Sequence, residues 1–232
     1  MSRPRSDIRE RLQHAARAQF LLHGVDGASL RAIAAAAGTN IGMVYYYFPT
    51  KDDLFVAAVE EIYKKLLGDF AVLLGETAPL REKLQRLYAR MWRQSDDEYA
   101  TIRLVMREGM VSGDRVQRLS QLFAQGHIPL LLQALVQGSN DGELREELPP
   151  LALLVSTMAL GLMPMLAWRA AGQRLMPELA LPDPDRLGAL FASILLRGLG
   201  SSESSQSKLP KAPPSAKAAR GTTRKKPPRI PR

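Results

Sequence analysis

From Ile8 to Leu199 apolar residues recur at three- and four-residue spacing, and no run of alternating β-branched residues interrupts them. That periodicity predicts an all-α chain. Ile8, Leu12, Ala15, Ala16 and Phe20 form a first stripe behind a capping-box-like Asp7 and Glu10, with Gly24 as its stop. Ser29 is placed to cap a second helix carrying Leu30, Ile33, Ala34 and Ala37 up to Gly38. Thr39 is placed to cap a short third helix ending near Phe48 and Pro49. Thr50, with Asp53 three residues on, opens a fourth, whose Leu54, Val56, Ala57, Ile62 and Leu66 carry it to about Leu74. Further helices are expected over Leu80–Ser95, Glu98–Val111, Arg115–Val136 (broken at Pro129), Leu151–Ala171 and Pro184–Leu199. Gly, Pro, Asn and Asp gather in the gaps between them.

After Gly200 the pattern stops. The last 32 residues hold one Leu and one Ile, too little apolar surface to offset chain entropy, so this stretch reads as a disordered tail. It carries nine Lys/Arg against one acid, Glu203, which is eight of the chain's net charge of +9. The segment through Lys51 is also basic, with seven Arg/Lys against Asp7, Glu10 and Asp26. Both ends suit a polyanion and the middle does not. With no cysteine, disulfides and thiolate metal sites are excluded. The charged N-terminus lacks the apolar stretch of a secretory signal, which points to the cytoplasm.

Residues 29–48 have the spacing of a helix-turn-helix: small Ala34 where the helices press together, Gly38 four later at the turn, and apolar Val44 six after that. Four of the chain's aromatic residues then stand in a row, Tyr45, Tyr46, Tyr47 and Phe48. Successive helical residues point about 100° apart, so they cannot share one core. With Val44 and Phe48 inward, Tyr45 is expected at the margin, and Tyr46 and Tyr47 facing outward. There a phenol can donate to a phosphate without a long stem to immobilise. Lys51 adds a charge beside a positive helix end. Thr39, Asn40, Ile41, Gly42 and Met43 would enter the major groove: Asn40 to adenine, Ile41 and Met43 to thymine methyls, Gly42 for close backbone approach.

The ordered segments AARAQFLLHG, ASLRAIAAAAG and TNIGMVYYYFPTKDDLF, over residues 8–54, resemble the DNA-binding domain of tetracycline-repressor-like (TetR/AcrR) regulators. The run from Tyr45 to Leu54 is the most specific part. The resemblance implies DNA contacts by Ser29, Arg31, Thr39, Ile41, Gly42, Met43, Tyr45, Tyr46, Tyr47 and Lys51. It also implies a helical body for ligand binding and dimerisation. Asn40-Ile41 stands where the family more often has Ser and a basic or polar residue, and Val44 stands for a frequent Leu. The expected organisation is a DNA-binding domain over 1–50, an effector-binding and dimerisation domain over 51–200, and the basic tail over 201–232.

Leu151–Trp168 is an uncharged run long enough for a transmembrane helix candidate. Ser156, Thr157, Gly161 and Pro164 dilute it, and a bundle helix covered by a second subunit has the same composition. The resemblance agrees with a dimer seam, here Leu151, Leu154, Leu187, Leu190, Phe191, Ile194 and Leu195, and no membrane partner is expected. Candidate effector contacts are Trp92, Arg103, Met106, Met110, Phe123, His127, Met158 and Met163, with Arg107 and Glu108 nearby; a methionine-rich wall suits an apolar ligand. No nucleophile–base pair, metal-spaced cluster or phosphate-cradling loop is present, so neither an enzyme nor a cofactor is expected. The sequence thus predicts a homodimeric regulator of a palindromic double-stranded operator, released by a small molecule. The alternative is an effector-independent DNA-organising protein using the basic tail and the helix-turn-helix.

Overall fold

The computed structural model describes residues 5–144 and 149–199, and the chain is all-α, with no strand among the described residues. Its helices are α1 (Arg5–Gly27), α2 (Leu30–Ala36), α3 (Ile41–Tyr47), α4 (Lys51–Gly75), α5 (Leu80–Trp92), α6 (Asp96–Val111), α7 (Gly113–Ala124), α8 (His127–Asn140), α9 (Pro150–Ala167), the short α10 (Gln173–Leu175) and α11 (Pro184–Leu199). The basic tail lies outside the described residues.

Local chemistry sets most boundaries. Gly24, at φ 75°, breaks the helical path of α1, leaving a final turn through Gly27. Ser29 caps α2, and reciprocal capping boxes open α4 (Thr50 with Asp53) and α6 (Ser95 with Glu98). Several boundaries differ from the expectation by two to four residues, α5 ending at Trp92 and α8 running on to Asn140 among them, and two further differences concern a cap and a break. The N-cap of α3 is Asn40, not Thr39: Asn40 has extended backbone angles and its side chain accepts from Met43 N–H. The break expected at Pro129 falls at Gln125–Gly126 instead. Pro129 sits in the first turn of α8, where a missing N–H costs no helical hydrogen bond.

Two hydrophobic cores follow. One joins α1, α2, α3 and the first turns of α4 to Leu104 of α6 and Leu119 of α7, with Phe20 and Phe55 edge to face at 6.1 Å. The other joins the far half of α4 to α5, α8, α9 and α11. The boundary expected at residue 50 coincides with the N-cap of α4, yet the first core continues across it. α4 therefore belongs to both.

α11 lies against α5 so closely that a Cβ at Gly188 would stand 2.3 Å from the Gln85 carbonyl oxygen. Its inward stripe includes Leu187 and Leu195, and Leu154 of α9 is buried with them. These three, expected in an intersubunit seam, are core residues of a single chain. Phe191 is largely internal too, stacked on Trp92 at 6.0 Å. Leu151, Leu190 and Ile194 point outward, about half or more exposed. Pro150–Gly172 is long and apolar enough to cross a membrane: an 18-residue stretch of it has a mean hydropathy of 1.9, and 22% of that stretch is buried.

Candidate nucleic-acid interface and the cavity behind it

The turn between α2 and α3 is held by two backbone hydrogen bonds, Gly38 N–H to Ala35 O at 3.0 Å and Thr39 N–H to Ala34 O at 2.9 Å. That pairing requires a left-handed residue at Gly38, where φ is 63°. Asn40 then accepts from Met43 N–H at 3.1 Å, which leaves its amide N–H groups available outward. Ser29, Arg31, Asn40 and Gly42 are exposed; Thr39, Ile41, Met43 and Lys51 are partly so. Lys51 donates to the Asp26 carbonyl at 2.9 Å.

The tyrosine row is arranged differently from the expectation. Val44 and Phe48 are buried as anticipated, but Tyr45 and Tyr46 are 54% and 67% exposed. Tyr47 instead packs against the first core and meets the Tyr46 ring edge to face at 5.0 Å. Phe48 is the C-cap, with extended φ and ψ, so it no longer marks a helical direction. Val44 alone does, and Tyr47, three residues on, lies about 60° from it against about 100° for Tyr45.

Behind this face, a charged cluster ties α1 and α4 to α6 and α7. The buried Arg115 guanidinium donates to Glu108 at 2.8 Å, to Asp52 at 3.0 Å and to Asp26. Asp26 is held below the usual carboxylate range, chiefly by that hydrogen bond, and Arg115 is raised chiefly by the same contact. Glu108 also accepts from Val25 N–H at 3.3 Å. Arg107 donates to the Phe20 and Leu21 carbonyls near the end of α1. The Arg115 contacts with Asp26 and Asp52 were not legible beforehand, since these lie 89 and 63 residues away in sequence.

Between α4, α5, α6, α8 and α9 is a cavity of about 190 Å³. Val59, Ile62, Tyr63, Leu66 and Phe70 of α4 form one wall. Of the residues anticipated from sequence, Met106, Phe123, His127 and Met158 line it. Arg103, Met110 and Met163 line a second cavity of about 280 Å³ with Arg107 and Tyr99, and Met106 is shared between the two. Trp92 lines neither, being stacked on Phe191.

Tyr63, not singled out from sequence, organises the polar end of the first cavity. Its hydroxyl accepts from His127 N–H at 2.9 Å and lies 2.8 Å from His127 Nδ1. The tautomer with its proton on Nε2 lets the hydroxyl donate to Nδ1 while it accepts from the backbone N–H. Burial pushes His127 down to about 4, so the ring is neutral, and it raises the Tyr63 phenol. Glu98 also lines the cavity, where burial alone would push its carboxyl up. Hydrogen bonds from Arg90 and Ser95 outweigh that and hold it below its ordinary value. Gln94 also lines the cavity, with its amide oxygen buried and unpartnered.

Residues 12–58 match the family described as bacterial regulatory proteins, tetR family, and residues 81–178 match the tetracyclin repressor-like C-terminal domain. The HTH-type transcriptional repressor NicS of Pseudomonas putida is 32% identical over 84 residues, 36% of this chain. The HTH-type dual regulator CecR of Shigella flexneri is 39% identical over 101 residues, 43% of this chain. The matched segments span 40% of the length of each of these relatives. Among solved structures, the regulator FadR from Bacillus subtilis, in complex with stearoyl-CoA, superposes with a TM-score of 0.69 at 19% identity, covering 82% of this chain and 98% of that one. NalD of Pseudomonas aeruginosa, the secondary repressor of a multidrug efflux pump, does so with 0.65 at 23%, covering 85% and 98%. One family profile falls on the helix-turn-helix and the other on the helices of the cavity, and the chain belongs to the tetR family of bacterial transcriptional regulators.

Proposed function

We propose that this regulator is a cytoplasmic homodimeric repressor that holds a palindromic operator through residues 29–51 and releases it when a small molecule fills the cavity beside His127. The observation that carries this reading is the continuity of α4. The helix starts at Lys51, directly after the tyrosine row, and runs without a break to the cavity wall at Val59–Phe70. A ligand pressing on that wall pushes on the element that carries the DNA-facing helices.

Tyr45 and Tyr46 act as phosphate donors, and the first residues of α3 read base edges. Ser29, Arg31 and Lys51 position the backbone. Tyr47 supports α3 from below. Exposed Leu151, Leu190 and Ile194 on α9 and α11 form the seam between two copies. Two recognition helices about 35 Å apart would then fit successive major grooves. The stearoyl-CoA of FadR does not transfer, since about 190 Å³ is far too small for an eighteen-carbon chain.

Fluorescence anisotropy tests the reading, with the full chain on DNA from upstream of its own gene and on the same DNA scrambled. Tight binding to one palindrome, two chains per site, is expected. Equal affinity for both sequences would overturn it.

A further inference from the structure

The geometry points to a neutral ligand, one or two rings in size, that donates a hydrogen bond to Gln94 and accepts one from His127. The inference rests on reading the cavity as the effector site and names the chemistry of what fills it.

Size comes first. An apolar cavity of about 150 Å³ holds one benzene molecule. The 190 Å³ here therefore takes a substituted single ring or a compact pair of fused rings.

Charge comes second. The lining contains no Lys or Arg, and its only carboxylate, Glu98, is engaged by Arg90 and by Ser95 N–H. An anion placed there would be buried without a partner, at high cost. Arg103 and Arg107 belong to the second cavity, across Met106. A charged carboxylate ligand would go there instead.

Two polar groups remain, on His127 and Gln94. The Tyr63 hydroxyl accepts from the His127 backbone N–H and lies 2.8 Å from Nδ1; with the hydroxyl donating there, the Nε2 proton has no partner among the described residues. Gln94 is 8% exposed and its amide oxygen is buried and unpartnered, a standing penalty that a ligand donor would remove. Its terminal torsion is broad, so the amide can turn that oxygen toward the space. A phenolic hydroxyl has the donor that Gln94 lacks and the acceptor that His127 lacks, and its ring suits a wall that includes Val59, Ile62 and Phe123.

Calorimetric titration of the full chain with 4-methylphenol, toluene and benzoate tests this. The phenol is expected to bind at least tenfold more tightly than toluene, with benzoate weaker than either. Gln94→Leu and His127→Phe should each bring the phenol to the level of toluene; retained toluene binding shows that the variants keep the cavity. Equal binding of phenol and toluene would overturn the assignment. So would tighter benzoate binding that Arg103→Ala abolishes. Operator affinity is measured on the same samples. Selective phenol binding that leaves the operator held sustains the ligand assignment and sinks the effector reading; loss of selectivity sinks the assignment whatever the operator does.

Discussion

Arg115 of α7 donates to Glu108 of α6 at 2.8 Å, and the two side chains are only 6% and 4% exposed. The same carboxylate takes Val25 N–H, and the same guanidinium takes Asp26 and Asp52. Removing one member of such a pair strands the other in low dielectric, which costs about 3–5 kcal/mol. Glu108→Ala is expected to lose that much in urea denaturation. Glu108→Gln keeps an acceptor for Val25 and should lose less. A Glu108→Ala cost under about 1 kcal/mol would mean that Arg115 finds full compensation in Asp26 and Asp52.

The two kinds of tyrosine in the row separate binding from folding. Tyr46→Ala should leave the melting temperature almost unchanged, since the ring is largely in solvent. It should weaken operator binding by about fivefold, the value of one lost phosphate hydrogen bond of about 1 kcal/mol. Tyr47→Ala should instead lower stability, through lost packing against the first core. The reverse pattern in paired melting and anisotropy measurements would contradict the placement of these side chains.

His127 sets a pH dependence. In the unfolded chain an imidazole takes its proton near pH 6.5, whereas in the folded chain burial holds it to about 4. The unfolded state thus binds more protons in between, and stability falls as pH drops. From pH 7 to pH 5 the loss from this residue is about 2 kcal/mol. Chemical denaturation of the native chain and of His127→Phe at both values measures it. The variant should show that much less pH sensitivity, and equal slopes would count against a buried neutral ring.

Adjacent residues on α11 give contrasting outcomes. Ile194→Glu puts a charge on an exposed face and should yield a folded monomer by light scattering, with helical circular dichroism retained. Leu195→Glu puts one into the second core and should abolish folding. A dimer that survives Ile194→Glu would place the seam elsewhere.

What the sequence disclosed was local. Ser29, Gly38, Thr50 and the helical stripes act over one to eight residues, and the structure keeps them. Where an inference needed to know which neighbour covers a face, it went astray. Leu154, Leu187 and Leu195 have the spacing of an interface as much as of a core, and only the close approach of α5 at Gly188 decides between them. The tyrosine row turned on whether Phe48 is still helical, a question settled by one pair of backbone angles. Tyr63 meets His127 across 64 positions, and the only advance sign was a polar tip on an otherwise apolar stripe.

The unbroken course of α4 has a consequence for recombining this protein with others. Head and body are related by helical phase as well as by contact. One residue inserted between Val59 and Ile62 would turn the DNA-facing helices by about 100° and shift them about 1.5 Å relative to the cavity wall. Seven inserted residues would nearly restore the rotation but move the head about 10 Å outward, off Leu104 and Leu119. A hybrid that joins this head to a foreign body must therefore preserve both register and length along this one helix.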